Sequence, residues 1–199
     1  QNVIGFIKGK TQPDSFVVIS AHYDHLGKMG KNTYFPGAND NASGIAMLLS
    51  LAKYYKANQP DYTTVFIAFG GEELGLLGSR YFTENPAFPL KQIKFLVNFD
   101  ISGTGDDGIQ VVNGSVYKEK FDRLKEINAT ENLLQQVKIR GEACNSDHCM
   151  FHLKGVPSFF IYTLGGIQAY HDIYDRAETL PLTEFEDYFT LMTKFIDGL

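Results

Sequence analysis

Basic residues never cluster in this sequence, and nothing offsets its net charge of −5. A nucleic-acid partner therefore has little electrostatic support. Long apolar runs are missing as well. None approaches the roughly 20 residues that cross a bilayer, and one of the longest, 65–69, has only the length of a buried strand. Internal repeats, low-complexity tracts and linker-like stretches are absent, so residues 1–199 read as a single domain, long enough to bury a substantial core. Cysteine is limited to Cys144 and Cys149, close together in GEACNSDHCMF. They can form a small disulfide in an oxidising compartment or remain two buried thiols. The bridge requires Cα atoms within about 4.4–6.8 Å. The chain starts at Gln1 without Met or a signal-peptide pattern, from which a removed leader or N-terminal segment is expected.

What is present is an alternation of two periodicities. Near-continuous Val, Ile and Phe content predicts buried strands over 3–7, 16–21, 64–70, 95–100, 109–113 and 158–163. Helical spacing predicts helices over 43–56, through Ile45, Leu48, Leu49 and Ala52, and likewise over 74–83, 117–136 and 182–196, the last capped by Thr183. Strands alternating with helices indicate an α/β sandwich with a mixed, largely parallel central sheet. In such sheets sites form beyond the carboxyl ends of the strands, which directs attention to the residues found there.

Several strands run into residues able to bind metal. VVISAHYDHLG places His22 and Asp24 just past an apolar run, and residues two apart on extended chain point the same way. His22 can then meet a metal while Asp24 orients its imidazole from behind. A surface turn lined by both is the plain alternative. PGANDNASG offers Asp40 shortly before a helix, where an ordinary N-cap competes with a ligand role. AFGGEELGLLGS sets Glu72 and Glu73 side by side after a wholly apolar strand, an arrangement in which like charges repel and lose water. A cation resolves that conflict for one of them, and the other becomes a proton shuttle. Asp100 closes the run FLVNFDISG, and His171 lies in the loop LGGIQAYHDIYD with Asp172 or Asp175 available to accept its second N–H. His, Asp, Glu, Asp and His form the nitrogen-and-oxygen donor set expected of catalytic zinc. A pair of zinc ions about 3.5–4 Å apart needs one carboxylate to bridge them.

The segments AHYDHLG, PGANDNASG, FGGEELGLLGS, NFDISG, SDHCMF with GVPSFFIY, and YHDIYD resemble, in order along nearly the whole chain, the two-zinc aminopeptidases of the bacterial leucyl aminopeptidase type. The resemblance implies a three-layer αβα sandwich of the zinc-exopeptidase, phosphorylase/hydrolase-like kind. It implies two zinc ions per chain, with His22 and Asp100 as terminal ligands of one, Glu73 and His171 of the other, and Asp40 bridging. Glu72 would be the general base and acid, Asp24 the partner of His22, and the Asp40–Asn41 peptide bond would be cis. The substrate would be a peptide with a free N-terminus, and the setting extracytoplasmic, periplasmic or secreted. Tyr162 or Tyr170 would add an oxyanion donor. Met150, Phe151, Phe160, Ile167 and Tyr170 are candidate walls of an apolar side-chain pocket. The oligomeric state has no signal.

Other histidines attract less weight. His148 and His152 stand four apart but lack the Glu of an HExxH helix, so His148 is expected at the site edge or in the core and His152 partly exposed. His25 either lines the cleft or packs. The rivals are a single-zinc glutaminyl cyclase, which the full ligand set opposes, and a carboxypeptidase or deacylase of a related two-metal family. The latter needs a basic residue to hold a substrate carboxylate, for which Arg80 and Arg140 are the candidates. A receptor-like domain that has lost catalysis should lack ligands or Glu72, and none is missing.

Overall fold

The computed structural model describes residues 1–199. Its centre is a seven-stranded sheet formed by β1 (Val3–Ile7), β2 (Gln12–His22), β5 (Tyr62–Phe69), β6 (Ile93–Phe99), β7 (Ile109–Val112), β8 (Val137–Ile139) and β9 (Ser158–Thr163). A separate hairpin pairs β3 (Gly27–Met29) with β4 (Thr33–Phe35). The sheet order is β1-β5-β2-β6-β9-β7-β8. Strands β5, β2, β6 and β9 run parallel, as do β7 and β8, whereas β1 and β7 meet their neighbours β5 and β9 antiparallel. The mixed, largely parallel sheet expected from the alternation is what forms.

Helices cover both faces, completing three layers. On one side α1 (Gly44–Ala57), α3 (Lys118–Glu131) and α5 (Phe185–Asp197) bury Met47, Leu51, Phe121, Leu124, Leu191 and Phe195 against Val17, Ile19, Phe95 and Val97 of the sheet. On the other, α2 (Leu77–Glu84) and α4 (His148–His152) bring Phe82 and Phe151 onto Val18, Ile67, Phe69 and Leu96. Successive residues of a strand face opposite sides. Val17 and Ile19 thus enter one core, and Val18 the other.

Several expectations are corrected here. β1 is not a buried strand but a sheet edge, with Val3, Ile4 and Phe6 all exposed. α2 starts later than expected because residues 71–76 first turn, with Gly71 at φ 77°, a left-handed conformation that costs glycine little. α3 ends at Glu131, ahead of the expected 136. Thr183 does not cap α5, which begins at Phe185; its hydroxyl donates to Asp106 instead.

The parallel strands β2, β5, β6 and β9 end on one edge, and the loops leaving them carry the polar residues. Asn41 stitches two of these loops together. Its amide donates to the carbonyl of Phe99, and its Oδ1 accepts from the N–H groups of Gly44 and Ile101. Asn39 and Ser43 do the same to Gly103 and Ser102. The segment carrying Asp40 is thereby locked to the segment carrying Asp100. The Asp40–Asn41 peptide bond is cis, as the resemblance implies.

Candidate metal centre

His22 and Asp40 are buried at the end of β2 and in the loop before α1. His22 Nε2 lies 3.3 Å from Asp40 Oδ1 and 3.3 Å from Asp100 Oδ1. His171 Nε2 lies 3.2 Å from Asp40 Oδ2 and 3.0 Å from Glu73 Oε2. Asp40 therefore divides its two oxygens between two groups of donors. Ligands about 2.0–2.1 Å from a tetrahedral ion stand about 3.3 Å from one another, so both groups have the span of a zinc shell. A second observation supports the fit. Both ring nitrogens of His25 and Glu73 Oε1 are buried without a hydrogen bond, although His25 Nδ1 approaches Glu73 Oε1 to 2.8 Å. Three acidic side chains packed on imidazoles, none of them ion-paired with Lys or Arg, want a cation. His25 is thus drawn into the second group, beside His171, as a residue whose role the sequence left open.

The electrostatics point the same way. Burial by itself lowers the pKa of His22, but hydrogen bonds to Asp100 and Asp40 override it and push the value up to about 12. A proton on the imidazole then does, without metal, what a cation does between the carboxylates. Glu72 lines the cavity and stays outside both groups. Burial raises its pKa to about 8; His22 opposes the shift, and Asp100, Asp147 and Glu73 add to it.

Two carboxylates hold the site from behind, in a way the sequence did not disclose. Asp24 was expected to orient His22 through its side chain. The Nδ1–H of His22 donates to the backbone carbonyl of Asp24 at 3.1 Å with the carboxylate Oδ1 3.9 Å away, and that carboxylate accepts the N–H groups of Glu72 and Glu73 at 3.0 and 3.2 Å. Asp175 was a candidate acceptor for His171. It is fully buried and accepts the N–H groups of Asn39 and Asp40 at 2.7 and 2.9 Å. Asp172, the other candidate, accepts the N–H of Tyr174. Each clamp fixes two successive amides, one of which belongs to a metal-facing carboxylate. A third support was also missed. Fully buried Ser20 donates to Asn98, Asn98 to Ser146, and Ser146 to Asp100 Oδ2, which leaves Asp100 Oδ1 turned to His22. Polar residues inside the apolar runs VVIS and FLVN were the available signal.

A model of peptidase family M28 matches residues 2–196. The chain belongs to this family. Aminopeptidase YwaD of Bacillus subtilis strain 168 is 33% identical over 163 residues, covering 79% of this chain and 34% of that protein. A probable zinc metalloprotease of Pyricularia oryzae is 38% identical over 111 residues, covering 54% of this chain and 22% of that one. BSAP, a zinc aminopeptidase of Bacillus subtilis, superposes with a TM-score of 0.84 at 27% identity, covering 99% of this chain and 49% of the other. A glutaminyl cyclase of an Acidobacteriales bacterium shares the fold, with a TM-score of 0.82 at 24% identity over 98% of this chain and 72% of that one. The M28 chain spans about a third or less of these curated relatives and about half of the solved aminopeptidase.

The cavity of the M28 chain, about 170 Å³, is walled by Ile101, Arg140, Asn145, Phe160, Tyr162 and Tyr170 beside the acidic groups and His171. Phe160 and Tyr170 are where they were expected. Phe151 is not. It is fully buried in the second core, stacked on Phe82 and tilted against Phe69, because α4 turns that face toward α2. Met150, half-buried on the same helix, is not part of the wall, and neither is Ile167. Tyr162 reaches the cavity, but its hydroxyl hydrogen is committed to Gln110 Oε1 at 2.9 Å, which removes it as an oxyanion donor. Tyr170 stacks on His171 with ring centroids 4.0 Å apart. Although the residue is largely exposed, partial desolvation and then Asp40, Asp100, Glu73 and Glu72 push its pKa up to about 12, so it stays a protonated phenol able to donate. His148 is buried, and His152 is held between Tyr117 and Glu142. Arg80 is exposed on α2, away from the site. Cys144 and Cys149 are bridged, with Cα atoms 4.9 Å apart.

Proposed function

We propose that this M28 chain carries the catalytic unit of a two-zinc aminopeptidase acting on peptides with a free N-terminus. The observation that carries the reading is Asp40, whose two oxygens each meet a different imidazole, each of which in turn meets a second carboxylate. His22, Asp40 and Asp100 would hold one ion, and Asp40, Glu73 and His171 the other. Bound there, zinc supplies a water acidified toward neutrality and a Lewis acid for the scissile carbonyl. The chain's own groups do the rest. Glu72 accepts the proton of the attacking water and returns it to the leaving amine, a task suited to a carboxyl whose pKa is raised toward operating pH. The free α-amine of the substrate would sit against this metal-facing carboxylate cluster, which favours removal of a terminal residue. Tyr170 is placed at the cavity wall to donate to the developing oxyanion. The Cys144–Cys149 bridge supports an oxidising, extracytoplasmic setting.

The test pairs metal analysis with turnover. Aminoacyl 4-nitroanilides and their N-acetylated forms are offered to the zinc-loaded protein, to the chelated protein and to Glu72→Gln. The reading expects two zinc ions per chain and cleavage of free-amine substrates alone. It also expects kcat to fall about 10²–10⁴-fold in Glu72→Gln while both metals stay bound. Equal cleavage of acetylated substrates would replace it with a deacylase, and a single bound metal without turnover would replace it with a cyclase.

A further inference from the structure

Arg140 follows β8 directly, and its backbone is fixed to the sheet, donating to Val111 and accepting from Ser115. Its side chain enters the wall of the cavity that holds Asp40, Glu72, Asp100 and His171. One guanidinium N–H is accounted for: Nη1 donates to the Tyr162 hydroxyl at 3.0 Å, and that hydroxyl donates onward to Gln110. A guanidinium carries five N–H donors in a planar fork made for carboxylates. Arg140 is half-buried, yet it forms no ion pair with any Asp or Glu of the chain. The protein has placed and braced a cation at a site without giving it an anion.

The rest of the cavity narrows the kind of anion that fits. At about 170 Å³ it is well below the roughly 300–1,000 Å³ of pockets that take drug-sized ligands, which suits the end residue of a peptide. Ile101 and Phe160 add apolar surface, and Asn145 an amide, to the lining they share with Arg140. The metal-facing carboxylates lie on the same cavity. A bound residue therefore meets negative charge where an α-amine belongs and positive charge beside the groups that receive its side chain.

Resting on the aminopeptidase reading, we propose that the site selects peptides whose first residue has an acidic side chain, and that Arg140, braced by Tyr162 and Gln110, binds that carboxylate. The side-chain carboxylate of Glu fits this arrangement better than the neutral amide of Gln, which is almost the same shape. Charge-assisted hydrogen bonds at a partly desolvated site discriminate such a pair by about tenfold or more.

The decisive measurement is the ratio of kcat/KM for glutamyl and glutaminyl 4-nitroanilides on the zinc-loaded chain. The proposal expects a ratio of about ten or more, falling to about one or below in Arg140→Gln and partly kept in Arg140→Lys. Because the two substrates are nearly isosteric, damage to the fold divides out of the ratio. A ratio at or below one in the parent protein, or one unchanged in Arg140→Gln, overturns the proposal. Leu-Gly and its C-terminal amide form a second arm. If Arg140 favours the free acid of this dipeptide over its amide and is indifferent to Glu against Gln, it reads the C-terminal carboxylate, and the proposal is wrong. Calorimetric titration with L-glutamate and L-glutamine separates this inference from the reading beneath it. If no free-amine amide is hydrolysed, the aminopeptidase reading falls. Glutamate binding that disappears in Arg140→Gln would still uphold the carboxylate site, and no preference for glutamate over glutamine would remove it.

Discussion

His148 gives the fold an acid limit that can be worked from its surroundings. The residue opens α4, is fully buried, and lies against the Phe160 ring with centroids 5.4 Å apart. Its Nε2–H donates to the carbonyl of Ala143 at 2.9 Å, just ahead of the loop that the Cys144–Cys149 disulfide closes, while Nδ1 is buried without a hydrogen bond of good geometry. Burial is the main cause that lowers its pKa from 6.5 to about 4; His152 and Arg140 add repulsion, and the backbone carbonyls of Ala143 and Ser146 oppose them. The sign follows from linkage. Between these values the unfolded chain carries a proton that the folded chain refuses, so stability is whole above pH 6.5 and drains away as pH falls toward 4. The separation of about 2.5 units corresponds to about 3 kcal/mol. His148→Gln keeps an N–H for Ala143 and removes the titration. Urea unfolding of both proteins, with chelator present so that metal loss does not contribute, should show curves that converge on acidification. The parent should lose about 3 kcal/mol more than the variant over that window. Parallel curves would mean that the folded chain protonates His148 freely, and the argument from burial would fail.

Two further outcomes follow from the structure. Asp175→Ala removes the acceptor of two buried amides behind Asp40, and should weaken zinc affinity about 10–100-fold in a chelator competition, with unaltered affinity refuting the clamp. Phe151→Ala should cost about 3–5 kcal/mol in urea unfolding and leave the ranking of aminoacyl substrates as it was. A changed ranking at full stability would return Phe151 to the pocket.

The parts of the molecule that were legible in the sequence share one property: their signal is local. An apolar run followed by His22, Glu72, Glu73 or Asp100 marks a strand and its carboxyl end together, and the topology rule then gathers those ends on one edge of the sheet. Elements too short for a period to register, β8 and the hairpin of β3 and β4, escaped notice, as did the facing of α4, which spans five residues. β1 misled for a different reason. Its composition is that of a core strand, but composition does not say whether a strand lies at the edge of its sheet. The supports of the site were hidden more deeply, since a carboxylate that binds backbone amides has no partner of recognisable type. Asp24 reaches amides 48 and 49 positions away, and Asp175 amides 136 and 135 positions away. Arg140 belongs with them. As a residue it was already a candidate for holding a carboxylate, but no neighbouring motif distinguished it from Arg80. What separates the two is the order β9-β7-β8, which sets the end of β8 beside Tyr162 and Gln110 and leaves α2 on the other side of the sheet. Ligands that grip a metal are announced by residue type at strand ends, whereas the residue that chooses a substrate is set by which strands become neighbours.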